Sequence, residues 1–187
     1  MPDSNITKRA LAQAMKELMA VHPFSKISVG DICQACGMNR KSFYYHFRDK
    51  QDLVNWIFES EFVETLQIET DSSGWALLSY MCEYFYRERI FYRRALSIEG
   101  QNSFRDYFME AIHPFLKAFT QELFHNQETE ASDFYITFLS DALLASIIRW
   151  LSEADPCTPD TYLSHCRALL VALAKSIYEN MPEEFEA

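Results

Sequence analysis

The sequence predicts an all-α chain, and three observations carry that prediction. Four glycines and six prolines in 187 residues leave little turn-forming material. Apolar residues recur at three- and four-residue spacing along most of the chain, the period of a helix with one buried face. Residues 28–53 read as two short helices joined by a tight glycine turn and followed by the start of a third, the helix-turn-helix pattern. The predicted architecture is an N-terminal three-helix helix-turn-helix domain over residues 1–48, then a larger helical domain over residues 49–187.

The first helix is expected over residues 5–22. Leu11, Ala14, Met15, Leu18 and His22 form its apolar stripe, with Lys8, Arg9, Lys16 and Glu17 on the other side. Ser4 or Asn5 can cap it, and Pro23 lies just beyond its end. Phe24 and Ile27 read as core plugs. Two short helices follow, Val29 to about Ala35 and Arg40 to about His46, with Cys36-Gly37-Met38-Asn39 between them. Glycine takes the left-handed backbone of such a stop without a Cβ penalty, and Asn39 offers a side-chain oxygen to cap the second helix. Phe43, Phe47, Met38 and Ile32 form the stripe that pins that helix to its platform.

Asp49 is placed to cap a long helix over residues 50–69, with Asp52 at its positive end. Thr70 to Gly74 is a break. One aromatic helix is expected from Trp75 to about Leu96, with Arg87, Arg89, Arg93 and Arg94 gathered near its C-terminus. Glu99-Gly100-Gln101-Asn102 breaks the chain again. The stripe from Phe104 to Leu123 contains Pro114, which either kinks a helix or starts a new one. Residues 126–133 are a polar connector. Two long helices close the chain, Phe134 to about Glu153 and residues 160–180, separated by Asp155-Pro156-Cys157-Thr158-Pro159. Their stripes include Ala142, Ala145, Ser146, Ala168 and Ala172, small residues that permit close helix approach and suggest a self-complementary face. The tail MPEEFEA is acidic and expected to fray.

Charge narrows the function. The net charge is −10, yet residues 1–50 hold eight Lys and Arg against four acids, a net +4, leaving nine against 23, a net −14, for the remainder. Exposed charges farther apart than about 8 Å are largely screened, so a polyanion responds to the local face. No acid falls between Asp31 and Asp49. Arg40, Lys41, Ser42, Tyr44, Tyr45 and His46 crowd one short helix with donors suited to phosphate and to base edges. The alternative for these residues is a solvated polar face.

Other classes find no support. There is no nucleophile elbow, phosphate-binding glycine loop or helix-borne His pair, so no enzyme and no cofactor is expected. Cys33 and Cys36 have metal-like spacing but lack a second pair of ligands, and small packed thiols account for them better. No run of 18 apolar residues suggests a membrane span, and no signal segment is evident, so the expected location is the cytoplasm.

The pieces S-V-x-D-I, A-C-G-M, S-F-Y-Y-H-F and K-x-D-L, all within Ser28 to Leu53, resemble the DNA-binding signature of the TetR family of bacterial transcription regulators. The run from Asn39 to Ile57, together with FYRRALSIEGQNSF, resembles the branch that includes the dihydroxyacetone-kinase operon regulator. The resemblance implies an N-terminal DNA-binding domain and a C-terminal ligand and dimerisation domain. It implies base readout at Asn39, Arg40 and Lys41, and phosphate contact at Tyr44, Tyr45, His46 and Lys50, with Ser28 and Ser42 completing the interface. It implies a homodimer formed through residues 134–180 on a near-palindromic double-stranded operator, with half-sites about 34–36 Å apart or a multiple of that. Repression relieved by a small-molecule effector is the expected mode; activation or co-regulation through a protein partner is the alternative. Trp75, Tyr84, Tyr92, Phe104, Phe108, Phe138 and Trp150 are candidates for an effector pocket, although aromatic stripes at helical spacing are more often plain core.

Overall fold

A computed structural model describes residues 2–65, 73–98, 103–123 and 132–179. The described residues form an all-α fold without strands: α1 (Pro2–Val21), α2 (Val29–Ala35), α3 (Arg40–His46), α4 (Lys50–Phe58), α5 (Gly74–Arg87), α6 (Arg89–Leu96), α7 (Phe104–Leu123), α8 (Ser132–Ser152) and α9 (Pro159–Glu179). The expected polar breaks at residues 70–72, 99–102 and 126–131, and the acidic tail, lie outside the described residues. Two compact units emerge, residues 1–70 with 88–111, and residues 71–87 with 112–187.

The first unit is built around the three N-terminal helices. Leu11, Met15 and Met19 of α1 are fully buried, as are Ile32 of α2 and Phe43 of α3. This packing holds two seven-residue helices that are too short to persist alone. Gly37 supplies the stop between them at φ 68°, with nothing within 4 Å of where its Cβ would stand. Any penalty for a side chain there is therefore backbone strain alone. Gly37→Ala should cost about 1–2 kcal/mol by urea denaturation, and Gly37→Asn less.

Two features of the chain depart from a regular pattern. The helix expected over residues 50–69 is regular only to Phe58 and continues as a π-helical turn over Glu59–Val63. The Ser60 hydroxyl donates to the Trp56 carbonyl at 2.8 Å, and Thr65 donates to Glu61 at 3.2 Å. Such hydroxyl-to-carbonyl bonds four residues back accompany local departures from regular helix. The turn aims Glu59 at the Tyr107 hydroxyl, 2.5 Å away, and Glu61 at the Lys16 ammonium, 2.6 Å away. The helix expected from Trp75 to Leu96 is two helices, α5 and α6, broken at Glu88 (φ −98°, ψ 21°). Lys16 also holds Glu88, at 3.2 Å. Arg94 of α6 donates to the Met19 and His22 carbonyls, the latter at 2.6 Å, so it closes the C-terminus of α1 rather than of its own helix.

The second unit packs α5, α8 and α9 with the later part of α7, where Pro114 lies inside one continuous helix. Its tightest contact is Trp150, stacked on Tyr86 (5.5 Å) and on Tyr162 (4.3 Å). The indole N–H donates to the Cys157 carbonyl at 2.9 Å, and the Tyr162 hydroxyl donates to Ser146 at 2.6 Å. Helix Asp133–Ser152 is long and apolar enough to cross a membrane by length and composition only, a test that the core helix of a soluble protein also passes, although the sequence showed no uninterrupted apolar run.

Candidate nucleic-acid interface

The interface is assembled by caps at each helix start. Ser28 and Asp31 form a reciprocal capping box: the Asp31 N–H donates to Ser28 Oγ at 3.2 Å, and Asp31 Oδ2 accepts from the Ser28 N–H (2.8 Å) and O–H (2.7 Å). These bonds hold the Asp31 carboxyl below its ordinary range. Asn39 Oδ1 accepts from the Ser42 N–H at 2.9 Å and from the Ser42 hydroxyl at 3.2 Å, fixing the first turn of α3. Ser28, Asn39 and Ser42 are thus engaged at the starts of α2 and α3, with Asn39 in the capping role its position suggested.

The face of α3 divides cleanly. Phe43 and Phe47, 0% and 3% exposed, pack inward, and Lys8 lies over the Phe47 and Trp56 rings at 5.7 and 5.4 Å. Arg40, Lys41, Tyr44 and Tyr45 are exposed, the two tyrosines by 58% and 81%. His46 is half-buried against the Tyr45 ring at 4.9 Å. One expected phosphate contact is placed otherwise. The Lys50 ammonium donates to the Phe24 and Ile27 carbonyls, 2.7 Å each, and sits 4.2 Å above the Phe24 ring. It ties the start of α4 to the loop before α2. Desolvation there lowers its pKa.

In the second unit, a cavity of about 370 Å³ opens between α5, α8 and α9. Leu78 and Met81 of α5, Leu139 and Leu143 of α8, and Leu170 of α9 form much of its wall. Of the seven aromatic residues expected to line a pocket, Phe138 alone does so. Tyr92, Phe104 and Phe108 instead ring Phe58 at 5.4 to 6.5 Å in the core of the first unit. Trp150 is locked in its stack, Tyr84 stacks on Tyr80 at 6.3 Å, and Trp75 carries Arg167 on its face at 5.1 Å. Large flat rings fill volume well and so become core; the cavity remains where branched and small residues meet.

Comparison with known proteins decides the family. The family model described as bacterial regulatory proteins, tetR family, matches residues 8–57, and a TetR-type model described as transcriptional regulator C-terminal region matches residues 75–171. The chain belongs to the TetR family. It is 34% identical over 110 residues to the HTH-type dhaKLM operon transcriptional activator DhaS of Lactococcus lactis, an alignment spanning 58% of each protein. The chain thus spans under two thirds of that curated relative. A solved structure of a dihydroxyacetone kinase operon activator DhaS is similar over 91% of this chain and 97% of that one, at 24% identity and a TM-score of 0.67. A TetR transcriptional regulator from Streptococcus agalactiae 2603V is similar over 90% and 96%, at 19% identity and a TM-score of 0.70. At these identities the structures show a shared fold.

Placement in the TetR family makes this chain a transcriptional regulator with a DNA-binding helix-turn-helix at its N-terminus, as the sequence pattern implied. Sequence reasoning missed the cavity wall of this TetR-family protein. Its only advance sign was the mixture of Leu139, Leu143 and Leu170 with Ala142 and Ser146 on the closing helices.

Proposed function

We propose that the chain is a cytoplasmic homodimer that binds a near-palindromic operator by placing α3 of each subunit in a major groove. One observation supports this above others: α3 is pinned from behind by buried Phe43 and Phe47 while Arg40, Lys41, Tyr44 and Tyr45 stand outward. In this reading residues 1–48 hold the DNA-reading function and residues 49–187 the effector and dimer functions. Arg40 and Lys41 meet bases; Tyr44, Tyr45 and His46 meet phosphates. The test is selection from a randomised duplex library by the purified protein, followed by binding to the recovered site across a salt series. Recovery of a near-palindrome bound with steep salt dependence supports the reading, and failure to enrich any sequence sinks it.

The dimer face we infer is the exposed side of α8 and α9. Phe134, Phe138 and Leu169 are 66%, 58% and 61% exposed there, flanked by exposed Ala142, Ala145, Ala168 and Ala172. Apolar exposure of this kind marks an interface. Ala168→Arg is expected to shift the protein to monomer by light scattering and to weaken operator binding at least tenfold, about 1.4 kcal/mol.

The cavity between α5, α8 and α9 suits a small, uncharged, apolar effector, since among the described residues lining it the side-chain heteroatoms are sulfur in Met81 and Cys166 and the Ser146 hydroxyl, already engaged by Tyr162. Burial raises the Cys166 pKa, keeping it a neutral thiol. Effector binding shifts the DNA-competent population only through its differential affinity for the two states. N-phenyl-1-naphthylamine, a neutral fluorophore, should bind the wild type and bind Leu143→Glu at least tenfold more weakly.

Repression with release by effector is one sign of action. Activation is favoured by the Lactococcus lactis relative, a transcriptional activator. A reporter driven from the selected site separates them: deletion of the regulator raises expression under repression and lowers it under activation.

A further inference from the structure

Gly30 breaks a local rule. It is the second residue of the seven-residue helix α2, and glycine is the weakest helix former after proline. Backbone conformation does not demand it, because the positive-φ glycine of this element is Gly37. A local rule broken without a conformational reason marks a position where function is to be sought. The reason lies in space. A Cβ built on Gly30 would stand 2.6 Å from Nη2 of Arg40, 3.3 Å from its Nε and 3.4 Å from its Cζ, and these three guanidinium atoms are its nearest neighbours beyond the adjoining backbone of α2. Arg40 therefore lies on bare backbone of α2.

We propose that Gly30 is a positioning residue: it forms the seat that sets the direction of the Arg40 guanidinium and so the base that Arg40 reads. The inference rests on the reading of α3 as the recognition helix and names how its first side chain is aimed. An arginine discriminates guanine only when its planar fork is presented edge-on to two acceptors, so orientation is specificity. The neighbour of Gly30 adds a fixed opposite charge. Asp31 is anchored by two bonds from Ser28, at 2.7 and 2.8 Å, and its carboxylate attracts Arg40. A guanidinium already seated loses less side-chain freedom on meeting DNA. What an added methyl group displaces is the end of a flexible side chain, not backbone, so substitution moves the reader and leaves the helix in place.

The test uses the full-length protein in four forms: wild type, Gly30→Ala, Arg40→Ala and the double variant. Each selects sites from a randomised duplex DNA library, and each is melted in parallel. Gly30→Ala is expected to melt at or above the wild-type temperature and yet to lose about tenfold of the base preference at one position per half-site. Arg40→Ala should lose preference at that same position, and the double variant should lose nothing more. Gly30→Ser carries the same Cβ and should reproduce the shift. Wild-type preference in Gly30→Ala, alongside lost preference in Arg40→Ala, overturns the seat while leaving the recognition reading intact. A Gly30→Ala effect of equal size in the Arg40→Ala background overturns it too, since the residue then acts through something else. Unchanged preference in Arg40→Ala removes both.

Discussion

Replacing Lys41 and Tyr44 together with alanine is expected to weaken operator binding by about a hundredfold while leaving the fold unchanged. Both side chains are exposed on α3, and Tyr44 meets Phe43 in a T-shaped contact with ring centroids 5.5 Å apart. Their removal opens no cavity. Hydrogen bonds to charged groups contribute about 1.5–3 kcal/mol each. Losing two at the low end removes about 3 kcal/mol, and each 1.4 kcal/mol is a factor of ten. Loss of the Lys41 charge should also make the dependence of affinity on salt shallower by about 0.9 on the double-logarithmic scale if it neutralises one phosphate. Anisotropy of a labelled operator at several salt concentrations measures both quantities. Circular dichroism of the variant should overlay that of the wild type.

Phe58→Ala is expected to have the largest effect on stability, about 3–5 kcal/mol. Phe58 is fully buried and touches Phe62, Tyr92, Phe104, Tyr107 and Phe108 with ring separations between 5.2 and 6.5 Å. Five rings cannot close over the space left by a sixth without leaving their own contacts, so most of the cavity term persists. Phe58 is also the last residue before the π-helical turn that carries Glu59 and Glu61 to their partners. Urea denaturation followed by circular dichroism gives the loss. Ile90→Ala, at an apolar residue 50% exposed, is the surface control and should change stability by no more than about 0.5 kcal/mol.

The helix-turn-helix was legible because its determinants are local. Ser28 with Asp31, Gly37, Asn39 and Asp49 each act within three residues, and the bounds expected for α2 and α3 are those observed. The rest depends on partners distant in sequence. Lys50 looks like a free cation until its acceptors, 23 and 26 residues earlier, are in place. The break at Glu88 and the π turn at Glu59 are tied to Lys16 and Tyr107, which no window around residues 59 or 88 contains. Most of the aromatic pocket candidates lie away from the cavity for a related reason. Periodicity shows that Tyr92, Phe104 and Phe108 face inward, and it says nothing about which inward faces meet without a gap.

The central claim is that two copies of a positively charged head, carried by acidic helical bodies, occupy successive grooves of one duplex. Hydroxyl-radical footprinting on the selected operator tests it directly. Two protected patches are expected, centred about one helical turn apart, or a multiple of it, appearing together as protein is added and fading together as salt is raised. A single patch from one bound chain, or protection indifferent to salt, would contradict it.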